Sequence, residues 1–68
     1  MRLKVYSKFL DGNLEYCAGS VFDFSPEKGK ELILKWPVIV WPENMELPKN
    51  EKEHEILSAR ILMEVNNG

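Results

Sequence analysis

LEYCAGSVFDFSPEKGKELILKWPVIVW, residues 14–41, holds most of the chain's large apolar side chains and decides how the rest is read. It opens as a strand, Leu14-Glu15-Tyr16-Cys17, which Ala18-Gly19-Ser20 interrupts. A glycine between small neighbours inside a strand pattern marks a bulge or corner. Val21-Phe22-Asp23-Phe24 then resumes the alternation, so the two halves of this bent strand are expected in different layers. Ser25-Pro26-Glu27 is a helix start: serine accepts from free N–H groups as N-cap, proline suits the first helical position, and the glutamate suits the dipole. Gly29, Leu32, Ile33 and Trp36 fall at i, i+3, i+4 and i+7 and form one helical face, with Leu34 outside it. Pro37 ends the helix, predicting a span of about 26–36. Val38-Ile39-Val40-Trp41 is a β-branched strand closed by Pro42.

Upstream, Arg2-Leu3-Lys4-Val5-Tyr6 alternates with the period of a half-buried strand, Leu3 and Val5 facing inward. Phe9-Leu10 extends it after a bend. Asp11-Gly12-Asn13 is a turn signal, which predicts that Leu14–Cys17 returns antiparallel to the first strand. Downstream, PENMELPKN (42–50) reads as a loop, and Asn50 with Glu53 resembles a capping box. The following residues are strong helix formers and predict a helix over 51–65, with a closing strand over 58–65 as the alternative. As a helix this segment is apolar on two sides: Leu57, Ile61 and Val65 on one, Ile56, Ala59 and Met63 on the other. One helix on a small body buries a single stripe, so the second stripe implies another subunit or partner. Asn66-Asn67-Gly68 is expected to fray.

The fold class expected is therefore α+β: a small antiparallel, SH3-like, partly open barrel with an inserted helix over residues 1–42. Residues 43–68 add an acidic loop and a terminal helix packed on the same domain.

One further pattern bears on origin. Lys4-Val5, Phe9, a turn, Leu14, Tyr16, the Gly19 corner, Val21-Phe22, Phe24-Ser25 and Glu31-Leu32-Ile33 together resemble small proteins encoded by tailed bacteriophages and prophages. The likeness covers residues 2–41. It departs where Ala18 stands for the usual proline and where Lys35-Trp36-Pro37 replaces the usual glycine step. It implies a compact SH3-like barrel of mostly unassigned role and no catalytic residues.

Composition bounds the function. A chain of 68 residues buries only about 60% of its unfolded surface, so its stability needs a supplement. Cys17 is the only cysteine and His54 the only histidine, which excludes an internal disulfide and a four-ligand zinc site. Oligomerisation remains as the supplement. Residues 1–35 carry six Lys/Arg against five Asp/Glu, whereas residues 36–68 carry three against six. Such a balance argues against nucleic acid as the main partner. The N-terminus lacks a signal-peptide pattern and no segment reaches membrane-spanning length, so a cytoplasmic protein, in a host cell or a virion, is expected.

Catalytic readings find little support. A Cys17/His54 nucleophile pair needs a third, orienting residue, and Cys17 in a strand pattern reads as a buried, inert thiol. Glu51, His54 and Glu55 share a helical face, but three such ligands make a weak metal site, and an exposed histidine among glutamates is the simpler expectation. Gly12, Gly19 and Gly29 are too scattered to cradle a phosphate. No enzyme activity, cofactor or metal is expected. Candidate interface residues are Ile56, Leu57, Ile61 and Met63 on the terminal segment, with Trp41, Glu51 and Glu55. The aromatic set Tyr6, Tyr16, Trp36 and Trp41 could gather at one edge. The partner expected is protein, either a second copy or a host or virion protein met through the acidic 43–55 stretch.

Overall fold

The computed structural model describes residues 1–67, with side-chain surroundings for residues 1–64. The chain is α+β: two small antiparallel sheets and two helices, with no closed barrel among the described residues. Strand β1 (Arg2–Val5) lies at the centre of a three-stranded sheet between β4 (Val21–Asp23) and β5 (Val40–Trp41). Leu3 pairs with Phe22 and Val5 with Val40, both antiparallel. As the alternation predicts, Leu3 and Val5 are fully buried.

The second sheet is a hairpin of β2 (Phe9–Asp11) and β3 (Leu14–Tyr16). Its turn uses Gly12 at φ +63°, a left-handed conformation that glycine adopts without a side-chain clash. The hairpin expected at Asp11-Gly12-Asn13 therefore forms, with residues 14–16 returning antiparallel onto β2, the extension of the first strand after its bend, and not onto β1. The physical reason lies in the neighbouring hydrogen bonds. The Val5 amide donates to the Ser20 carbonyl and its carbonyl accepts from the Gly19 amide, both at 2.8 Å, so the far edge of β1 is already taken by 19–23. The Tyr6 and Ser7 amides both turn to the Ile39 carbonyl, at 2.8 and 3.3 Å, which carries the chain out of the sheet before β2 begins. Gly19, at φ +92°, makes the expected corner, and the strands on either side of it do fall in different sheets.

An aromatic group joins those sheets. Phe9 and Tyr16, cross-strand partners, stack at 4.8 Å between ring centroids. Tyr16 meets Phe22 edge-on at 4.9 Å and Phe24 at 5.4 Å. Offset and edge-to-face pairs of this kind stabilise by about 0.5–1.5 kcal/mol beyond the area they bury. They compensate for strands too short to hold two sheets together alone.

Helix α1 (Pro26–Ile33) begins as read, with the Ser25 Oγ accepting from the Lys28 amide at 3.2 Å. Gly29, Leu32 and Ile33 are buried; Gly29 leaves room for the Met1 side chain rather than for the sheet. The helix stops at Ile33, three residues short of the expected end, and Trp36 leaves its predicted buried face. Leu34 and Lys35 close the last turn by donating to the Lys30 and Leu32 carbonyls, both at 3.2 Å. The predicted strand over 38–41 is paired only at Val40–Trp41, because the Ile39 carbonyl serves the bend after β1.

Helix α2 (Glu51–Asn67) takes the helical reading of the terminal segment and excludes the closing strand. Asn50 caps it, its Oδ1 accepting from the Glu53 amide at 2.9 Å. Ile61 enters the core beside Leu3, Val5, Phe24, Leu32, Ile33, Val40 and Trp41, and Leu57 packs against that core. The helix extends through Asn67, past the predicted end at Val65. The Val65 side chain, assigned to the inner stripe, and Gly68 lie outside the described residues.

Polar contacts tie the periphery down. Lys28 reaches from α1 to the hairpin, its Nζ donating to Asp11 Oδ1 at 3.0 Å, with Glu31 Oε2 at 3.7 Å. The Asp11 hydrogen bond, and then the charges of Asp11 and Glu31, hold the Lys28 ammonium above its ordinary value of 10.5. A raised folded-state value means that this contribution is complete below pH 10.5 and disappears as pH rises through the folded value. At low ionic strength, wild-type protein should therefore lose part of its stability to urea above pH 10.5, and Lys28→Met should not show that part of the loss. Parallel urea titrations at intervals of roughly one unit from about pH 8 to about pH 11.5 check this. An identical alkaline decline in both proteins would contradict it.

Candidate functional site

The region with the most chemistry is where α2 meets the end of α1 and β5. In an α-helix the carbonyl of residue i accepts from the amide of i+4. For Ile33 that residue is Pro37, which has no N–H, so the carbonyl would be left unpaired in a buried position. His54 supplies the missing donor, with Nε2 at 2.7 Å from the Ile33 carbonyl. A carbonyl can only accept, so the proton must be on Nε2. The ring lies between two indoles, 5.1 Å from Trp36 and 5.5 Å from Trp41 between centroids.

This corrects the expectation of an exposed histidine. His54 is 5% exposed, because α2 turns residues 54, 57, 58 and 61 inward. Its hydrogen-bonding nitrogen is committed to the backbone. Cys17 is corrected in the opposite sense: it follows β3, outside the pairing, and its thiol is exposed rather than buried. No group of three metal-binding side chains exists among the described residues, and Glu51, His54 and Glu55 do not form one.

The aromatic set separates. Tyr16 belongs to the group joining the sheets, and Tyr6 lies under Lys4, whose Nζ is 5.3 Å from the ring centre. Trp41 is fully buried, with Nε1 donating to the Glu46 carbonyl at 3.0 Å, which removes it from the candidate interface. Only Trp36, 39% exposed, faces solvent over His54. With Leu34, Glu51, Glu55 and Ser58 these two residues line a shallow groove of about 260 Å³. Glu51 and Glu55 have no ion pair among the described residues, so the groove is apolar on one wall and anionic on the other. Glu43, further along the acidic stretch, lies 3.5 Å from the Arg2 Nε. A larger cleft of about 500 Å³ lies beneath the 42–45 loop, bordered by Arg2, Met45, Ile61 and Glu64.

The four terminal-segment candidates divide by face. Ile61 is buried and Leu57 half-buried, so they serve the core rather than a free surface. Ile56 and Met63 are 56% and 64% exposed, and Ala59 between them is exposed too. The helix thus has two apolar stripes, one filled by the body and one open. Sequence reasoning missed the role of His54: a helix end always leaves carbonyls needing donors, and nothing local marks a residue 21 positions away as the one that serves Ile33.

With this geometry in view, no protein-family model matches the chain, and neither a curated protein nor a solved structure shows significant similarity to it. Among the described residues no helix is long and apolar enough to cross a membrane.

Replacing His54 by Ala should cost about 2–4 kcal/mol, combining a stranded buried carbonyl with lost ring packing. Urea unfolding of the His54→Ala variant checks this. A loss below about 0.5 kcal/mol, the range of neutral surface changes, would show that the bond does not hold α2 in place.

Proposed function

We propose that this chain is a non-enzymatic assembly module that associates with copies of itself through the outer face of α2. One observation carries the reading: Ile56, Ala59 and Met63 are exposed in line on a helix whose opposite face is already packed into the core. Burying such side chains stabilises an interface by about 25 cal/mol per Å² of apolar surface removed from water. A 68-residue chain also has more to gain from association than a large one. The resemblance of residues 2–41 to small tailed-phage proteins suggests a virion or tail accessory part, in the host cytoplasm or the particle. The lone thiol on a surface turn and the histidine committed to a backbone carbonyl support a role without catalysis.

A second reading has its own observation. The Trp36 groove, where Glu51 and Glu55 have no ion pair among the described residues, suits a basic segment of a host protein: a cation over the indole face gains about 0.5–2 kcal/mol, with the carboxylates adding attraction. Such docking would weaken sharply with salt, whereas apolar self-association would not.

Light scattering on a sizing column should give a molar mass that rises with concentration and changes little between low and high salt. Ile56→Asp and Met63→Asp should each return the protein to a monomer while leaving its circular dichroism unchanged. Wild-type protein that stays monomeric into the millimolar range, or association unaffected by both substitutions, would overturn the assembly reading.

A further inference from the structure

The outer face of α2 carries more information than its apolarity. Lys52, Ile56, Ala59 and Met63 follow one another at four-, three- and four-residue steps, the spacing of a seam that packs knobs into holes against another helix. At 100° per residue, Glu53 and Arg60 flank this seam on one side and Glu55 and Leu62 on the other. Neither Glu53 nor Arg60 has an ion pair among the described residues.

We infer that a second copy of this chain packs on this seam with its α2 antiparallel, Arg60 of each copy meeting Glu53 of the other. The inference rests on the assembly reading above and specifies its partner and geometry. In an antiparallel pair related by a two-fold axis, Ile56 faces the partner's Ala59, a large residue against a small one. Lys52 faces the partner's Met63, whose apolar surface can lie along the lysine stem. Arg60 and Glu53 then face each other twice, once on each side of the axis, since a two-fold contact repeats every pair. The helix dipoles also oppose one another.

The parallel arrangement is less favourable. It pairs Arg60 with the partner's Glu55, but sets Lys52 against Lys52, Ile56 against Ile56 and Ala59 against Ala59. Large then meets large, small meets small, and like charges meet at the helix start. Charge and side-chain size therefore select the same orientation. A seam of three turns lies at the small end of the interface range, so the dimer is a weak one, forming at high local concentration.

Charge reversal in the full chain tests the orientation. Arg60→Glu alone, or Glu53→Arg alone, places two like pairs across the axis and should weaken self-association about tenfold. In an equimolar mixture of the two variants each mixed dimer has opposite charges at both places, one pair in the native sense and the other reversed, and should associate as tightly as wild type by sedimentation velocity. Arg60→Gln, which leaves the helix start untouched, should weaken association less than Arg60→Glu does. Recovery in a mixture of Arg60→Glu with Glu55→Arg, and not with Glu53→Arg, would overturn the antiparallel pairing in favour of the parallel one. No recovery in either mixture, with wild type associating and Met63→Asp abolishing it, would overturn the inference alone. Absence of any wild-type association would overturn the assembly reading beneath it.

Discussion

A single buried hydrogen bond, from the His54 ring to the Ile33 carbonyl, decides how the two helices and the sheet fit together. It satisfies one of the carbonyls that the end of α1 leaves without an intrahelical donor, and Pro37 has no N–H to offer in its place. A carbonyl in that position, removed from water and unpaired, costs about 1–3 kcal/mol, comparable with a large part of a small domain's stability. The imidazole satisfies it and at the same time fills the space between Trp36 and Trp41. One side chain of α2 therefore contacts the end of α1 and, through Trp41, the edge strand of the sheet. The rotation of α2 about its own axis follows: with residue 54 facing inward, 58 and 61 must also face inward, and 56, 59 and 63 must face water.

The other half of the molecule relies on a different device. Its strands are two to four residues long, too short for their ladders to be stable alone. The Gly19 corner sends the chain from the hairpin to the sheet, and the Phe9, Tyr16, Phe22 and Phe24 rings pack across the junction. Lys28 then links the hairpin to α1 through Asp11. Neither sheet needs to be large, because side chains rather than backbone ladders connect the layers.

Much of this was legible in the residues. The alternation at Leu3 and Val5, the Gly19 corner, the Ser25 and Asn50 caps and the two stripes of α2 all depend on local spacing. What could not be read depended on contacts between distant positions. Residues 14–16 pair with 9–11 through the local turn at Gly12, but that they do not also reach β1 depends on Val5, whose amide and carbonyl are already used by residues 20 and 19, a competition that no local pattern records. His54 sits among five glutamates within 43–55 and looks like a surface residue, yet a carbonyl 21 positions away draws it inward. Trp41 is buried for a similar reason, its Nε1 finding the Glu46 carbonyl in the following loop. Of the seven candidate interface residues, Ile56, Met63, Glu51 and Glu55 are exposed. Local pattern could not separate them from Leu57 and Ile61 without the rotation of α2, nor from Trp41 without its contact to the following loop.

The open stripe on α2 and the filled stripe behind it are thus consequences of one anchor, and the proposed assembly surface depends on it. The most direct test observes the anchor itself, by long-range proton–nitrogen correlation of the His54 imidazole near neutral pH. The account predicts a proton on Nε2, exchanging slowly with water, and a scalar coupling or shift change that reports its bond to the Ile33 carbonyl. A ring protonated on Nδ1 alone, or one whose Nε2 proton exchanges as freely as that of a surface histidine, would contradict it.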